Sequence, residues 1–177
     1  MQGNLWGIFF DLEEDCQLVL RRRPRIVSNQ LLNIREWPED GDWQNVDMDK
    51  VVFWVQAHGL STPYLNWENA PTIANKIGDY LDTDRASRLE AFRRGYLKIK
   101  VNIVVSHHLP AWFFLKIAIG RKEWIQFKHN KLPMVCYNCG RIAHDFKNCM
   151  QPKAFVYSLI GKVVPMNGPW IKSEVPM

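Results

Sequence analysis

No stretch of this 177-residue chain holds the roughly 18 uninterrupted apolar residues that a membrane span requires, and the best candidate, LPAWFFLKIAIG, is broken by Lys116. The first ten residues, MQGNLWGIFF, have no basic n-region and run straight into DLEED, so no secretory signal is expected. Cysteine is scarce. Of four, three fall within 14 residues of one another and Cys16 stands alone, which does not suit a disulfide framework and does suit a reducing compartment. The expected product is soluble, free of membrane, and intracellular, in the nucleus and/or the cytoplasm. G-x-S-x-G, P-loop, G-x-G-x-x-G and H-E-x-x-H patterns are all missing, and the acidic pairs Glu13-Glu14 and Glu39-Asp40 lie in polar surroundings, so no enzyme is expected. Low-complexity tracts and fixed-period repeats are also missing.

Aromatic residues are abundant instead, with eight Trp, nine Phe and five Tyr in a chain that is 47% apolar. This content suffices for one compact core or two small ones, and rings serve equally as core filling and as stacking platforms for bases. Charge is unevenly spread. Residues 1–84 hold 14 acidic and 7 basic side chains, a balance of −7, whereas residues 85–177 hold 4 acidic and 16 basic, a balance of +12. Such a C-terminal half seeks phosphate, because Lys and Arg release counterions condensed on a polyanion.

Along the chain, Gly3–Phe10 suits a strand, and Asp11 is a plausible N-cap for a helix carrying Leu12, Cys16, Val19 and Leu20 at helical spacing. Arg21 to Arg23 complement its dipole and Pro24 stops it. Leu31–Trp37 reads as a strand and Glu39–Asp49 as an acidic connector. Val51–Leu60 is a strand by β-branched and aromatic content. A helix is expected over Trp67–Leu81, with Ile73, Ile77 and Leu81 one turn apart and Pro71 near its start. Tyr96–Val105, Trp112–Ile119 and Glu123–His129 read as strands, the last two joined at Gly120-Arg121. The expected fold is α+β, a ferredoxin-like or RNA-recognition-motif-like antiparallel sheet over residues 1–131. A small knuckle should follow over residues 132–150, then an irregular tail over residues 151–177 with one short strand at Phe155–Ile160.

Residues 136–149 read C-Y-N-C-G-R-I-A-H-D-F-K-N-C, which is C-x2-C-x4-H-x4-C. Thiolate and imidazole in a closed set of four suit a structural Zn2+, and two Cys separated by two residues chelate one ion from a tight turn. Cys136, Cys139, His144 and Cys149 are therefore the expected metal ligands. Four protein ligands leave no position for a reactive water, so the metal should organise the loop rather than catalyse. Its binding free energy, on the order of 10 kcal/mol, folds a segment too short for its own core. Removing it should leave residues 1–130 folded, since they carry no metal-ligand cluster.

With Gly140 directly after the second Cys and Arg141 next to it, the segment resembles the retroviral and retrotransposon zinc-knuckle family. The resemblance implies binding of single-stranded RNA or DNA, RNA foremost. It assigns Tyr137 and Phe146 to an apolar platform for an unpaired base, and Arg141 and Lys147 to phosphate contacts at its rim. The family usually has Gly before the His, where this chain has Ala143. A wider likeness covers Asn4 to Lys172. The segments LRRRP, LLNIREW, VFWVQAHGLS, IANKIG, LPMVC and Gly168-Pro169-Trp170-Ile171-Lys172 resemble the plant domain of unknown function that precedes one knuckle in LINE-type retrotransposon proteins. In that family one more strand and helix usually come first, which implies that this chain is truncated at its N-terminal side. Self-association and retroelement proteins are the further partners implied.

Arg85, Arg88, Arg93, Arg94, Lys98 and Lys100, with Phe92 and Tyr96 interleaved, form the densest basic stretch. They read either as a second nucleic-acid surface, with Arg93 and Arg94 as contacts, or as a solvated loop and strand edge. His107-His108 lacks a third ligand nearby, Cys16 reads as a buried small hydrophobe, and His58 as an ordinary strand residue. His129 likewise reads as ordinary, with an added phosphate contact beside Lys128 and Lys131 as the alternative. The rival to nucleic-acid binding is a protein-interaction or assembly module in which the knuckle is only a clip. A third reading is a domesticated or decaying fragment without activity.

Overall fold

Period-two alternation decides the main sheet. Val51, Phe53, Val55 and Ala57, and likewise Leu97, Ile99, Val101 and Ile103, are at most 2% exposed, while residues between them, such as Trp54 and Lys98, turn to the opposite face. The computed structural model describes residues 5–117, 120–142, 144 and 146–174, with only the backbone of Phe146. Its elements are α1 (Glu13–Arg21), β1 (Arg25–Val27), β2 (Gln30–Leu32), β3 (Lys50–His58), α2 (Ala70–Ala74) and β4 (Asp79–Thr83). There follow α3 (Arg88–Arg94), β5 (Tyr96–Val104), β6 (Trp112–Lys116), β7 (Lys122–His129), β8 (Phe155–Tyr157) and β9 (Val163–Pro165).

β3 to β7 form one antiparallel sheet in the order β4-β5-β3-β7-β6. β3 is central, paired with β5 from Lys50↔Val104 to His58↔Tyr96 and on its other edge with β7 from Val55↔His129 to His58↔Gln126. Ala70, Ile73, Ala74 and Ile77, on α2 and the turn after it, pack on the buried face. Each fully buried aliphatic or aromatic side chain there is worth about 1.5–3 kcal/mol.

The α+β class and the antiparallel sheet expected from the sequence are present. β3, α2 and β4 make a split β-α-β unit with β5 inserted between two strands of like direction. A ferredoxin-like chain carries its second helix after the third strand. Here residues 105–111 make that connection without a helix, and α3 precedes β5 instead.

Several local expectations are corrected. Residues 5–10 are irregular and exposed, Phe9 at 92%, because an apolar run becomes a strand only against a partner edge; residues 3 and 4 lie outside the described part. α1 begins at Glu13 with Leu12 rather than Asp11 at its N-cap, and Leu20 is its one buried residue, leaving Cys16 half-buried. The strand expected over Leu31–Trp37 is a short hairpin, β1 with β2, whose loop residues Ser28 and Asn29 both have positive φ as a two-residue turn demands. The helix expected over Trp67–Leu81 is confined to Ala70–Ala74. A Cβ at Gly78 would lie 2.3 Å from the Asn102 carbonyl oxygen, so the backbone closes on β5 there and the next residues pair with it as β4. Leu81 consequently stands 46% exposed. The strand expected at Phe155–Ile160 ends at Tyr157 and is joined by β9. Ala118 and Ile119, at the end of an expected strand, are outside the described residues.

Candidate zinc centre

β7 delivers the chain to the metal-ligand segment without leaving the core, since Leu132 and Val135 are buried in the cluster that includes the sheet. Val135 then bridges Ile142 antiparallel, Cys136 N–H donates to Arg141 O at 3.0 Å, and Gly140 N–H donates to Cys136 O at 2.7 Å. This miniature hairpin turns on Gly140, whose φ is +73°. It brings Cys136 and Cys139 together, and Sγ of both, Sγ of Cys149 and a ring nitrogen of His144 all lie within 4.8 Å of one another. Ligands about 2.0–2.3 Å from one Zn2+ would stand roughly 3.3–3.8 Å apart at the corners of a tetrahedron. The four donors are close enough to that spacing to hold the ion, and among the described residues no other such group occurs.

Burial pushes the Cys136 thiol up, but the Cys139 and Asn138 amides together with the neighbouring thiols outweigh it and leave the thiol below its ordinary value. Cys139 is raised, chiefly by burial and despite the Arg141 amide.

The site is built into the fold rather than hung from it. Leu109 N–H donates to Gly140 O at 2.8 Å, Cys136 is fully buried, and Ile142 shares the core cluster. The C-terminal segment closes the far side. A Cβ on Gly140 would meet the Asn167 side chain at 3.0 Å, Ile171 is fully buried in the core, and Ser173 N–H donates to His129 O. Sequence reasoning did not find Leu109 or Asn167, neither of which carries a motif of its own. The adjacent Gly168–Lys172 segment did stand out by resemblance, and its Ile171 supplies the anchor. Gly140→Ala is expected to weaken metal binding by about tenfold or more, because a left-handed residue with a Cβ costs roughly 1–2 kcal/mol and Asn167 must also give way. Competition against a chromophoric chelator measures this, and an unchanged affinity would refute the account of Gly140.

Around the ligands, Tyr137 is half-buried and packs against the core, Arg141 and Lys147 are exposed, and Phe146 opens a short turn over Phe146–Asn148. Ala143, where the knuckle family has Gly, lies outside the described residues. Arg93 is exposed on α3, whereas Arg94 is engaged: it binds Asp84 through both terminal nitrogens, at 2.5 and 3.1 Å, and donates from Nε to Tyr96 O. His107 and His108 are exposed in the β5–β6 connection. His129 is no rim residue. It is wholly buried edge-on to Phe53, 6.3 Å between ring centres, so it does not reach phosphate.

Fold and site together define an α+β chain in which three Cys and one His are grouped as potential ligands of one metal ion. Residues 103–151 match the family model described as zinc knuckle, and the match runs from the end of β5 through the β6–β7 hairpin to the last ligand. No curated protein and no solved structure matches the chain. The matched stretch thus takes in β6 and β7 as well as the ligand loop. Among the described residues, no helix is long and apolar enough to cross a membrane.

Proposed function

We propose that this chain is a non-enzymatic module that binds single-stranded nucleic acid, RNA before DNA, through a zinc-loaded knuckle, and that it derives from a LINE-type retroelement protein. The observation that carries the reading is the convergence of Cys136, Cys139, His144 and Cys149 within 4.8 Å on a segment that matches the zinc-knuckle family. Four protein ligands close the coordination sphere, which argues for an organising metal. Half-buried Tyr137 beside the first ligand and exposed Arg141 beside Gly140 supply a ring and a cation next to the candidate ligands, the two residue types that single strands use for stacking and phosphate contact.

Tyr137→Ala is expected to cost ~1–3 kcal/mol in binding a fluorescein-labelled single strand with the salt slope unchanged. Arg141→Ala is expected to lower that slope by about 0.7. Anisotropy titrations of metal-loaded protein at several salt concentrations measure both. If neither variant changes affinity while zinc stays bound, the knuckle is a structural clip and the reading fails.

A further inference from the structure

The sheet has a second face that the buried core does not use. Cross-strand neighbours on a pleated pair share a face, so Trp54↔Lys100, Gln56↔Lys98 and His58↔Tyr96 all point away from the core residues between them. One end of this face is covered. Arg35 donates to Lys50 O and to Asn102 Oδ1, and Val52 is buried there. From Trp54 to His58, and from Lys100 back to Tyr96, the outward residues are half-exposed.

Two features of this patch point to one kind of ligand. The ammonium groups of Lys98 and Lys100 lie 5.0 and 5.8 Å from the centre of the Trp54 ring, and among the described residues neither has a carboxylate within ion-pair distance. Carboxylates are near, since Asp82 is opposite Lys100 on β4, yet the lysines turn to the indole. Further along, Trp112 and Trp124 are stacked 4.4 Å apart, and Trp112 shares this face because it pairs with Gln126, itself opposite His58. Burial and the charge of Lys128 hold His58 down to about 4, so it contributes a neutral ring near neutral pH.

We propose that this open sheet face, centred on Trp54 between Lys98 and Lys100, is a second binding site for single-stranded nucleic acid, with a base stacked on the indole and phosphates on the two ammonium groups. Every base has a π-face, and lysines without carboxylate partners release counterions to phosphate, so the surface fits a single strand without needing a sequence. An acidic peptide would satisfy the charges but not the rings. An apolar protein surface would bury both lysines without partners, which costs far more than it returns. This site shares its ligand class with the proposed function but none of its residues.

The test uses the full, metal-loaded chain and a fluorescein-labelled 20-nucleotide oligo(U) strand. Lys98→Glu/Lys100→Glu is expected to weaken binding at least tenfold and to lower the salt slope by about 1.4, at 0.7 per cation. Trp54→Ala is expected to weaken it by about 5- to 100-fold with the slope unchanged. Thermal melts establish that each variant is folded, and the lysine pair, being on the surface, keeps the test alive if Trp54→Ala is not. Tyr137→Ala/Arg141→Ala forms the separate arm for the knuckle. Loss of binding in that arm with wild-type binding by the folded lysine variant overturns the sheet site and leaves the knuckle standing. The reverse pattern supports the sheet site and removes the knuckle. If folded Trp54→Ala shifts sedimentation from dimer to monomer without changing affinity for the strand, the face joins two copies of the chain and the proposal is wrong.

Discussion

Stripping the metal is expected to lower the melting midpoint of the whole sheet by on the order of 10 °C, rather than to loosen the ligand loop alone. A structural zinc contributes roughly 10 kcal/mol or more to holding such a loop. Here the loop's Val135 and Ile142 are part of the main core, at 7% and 8% exposure, and Leu109, just before β6, hydrogen-bonds Gly140. An opened loop returns both aliphatic side chains to water at about 1.5–3 kcal/mol each. For a chain of this length each kcal/mol moves the midpoint by about 2–4 °C. Residues 1–130 keep most of their own core, so a folded but weakened sheet should remain at room temperature. Scanning calorimetry with and without chelator, and on Cys136→Ser, measures the shift. A sheet transition that keeps its midpoint after elemental analysis shows the zinc gone would mean that loop and sheet are uncoupled.

Acid should destabilise the protein through His129, and to a smaller extent through the half-buried His58, before any carboxylate matters. The His129 side chain is fully buried, and burial lowers its pKa from 6.5 to about 4. Above pH 6.5 the ring is neutral in both folded and unfolded chains, and its stability contribution is constant. Between pH 6.5 and 4 the unfolded chain takes up a proton that the folded chain refuses, so stability falls as pH falls, by at most about 3 kcal/mol. Below pH 4 both forms are protonated and this loss stops. Urea unfolding of wild type and His129→Leu between pH 7.5 and 4 separates this contribution from ligand protonation at the metal site, which both proteins share. Parallel stability curves for the two would exclude His129 as the cause.

The parts of the fold legible in the sequence are those where one physical signal dominates. β3, β5 and β7 show alternation or β-branched content strong enough to place them within a residue or two, and the ligand spacing picks out the four side chains that the fold groups as potential metal ligands. Where signals compete, the local sequence points to the wrong element. Ile73, Ile77 and Leu81 continue a helical period through Gly78, but that period is overruled by the close approach of backbone to Asn102. α3 went unseen beneath its charges, although Ser87 and Glu90 form a reciprocal capping box, at 3.2 and 2.8 Å, and Gly95 follows the last turn. The basic stretch from Arg85 to Lys100 also had to be divided. Arg93 is exposed on a helix, Arg94 is tied to Asp84, and Lys98 and Lys100 stand on the sheet over Trp54. Pairing partners decide such assignments, and a partner 10 or 40 residues away leaves no mark on the local sequence.

The clasp that residues 167–173 place on Gly140 and His129 also has a bearing on the order of events at the ribosome. β3, β5 and β7 emerge early enough to pair while synthesis continues at about 5–20 residues per second. Ile171 fills a fully buried position, and Ser173 bonds to the end of β7. A nascent chain that stops short of them exposes the floor of its own core and the back of its metal loop. Closure of this part of the core therefore waits for residues 167–173. Until then the loop that carries the four candidate ligands lacks its backing, and its thiols stay open to competing metals and oxidants.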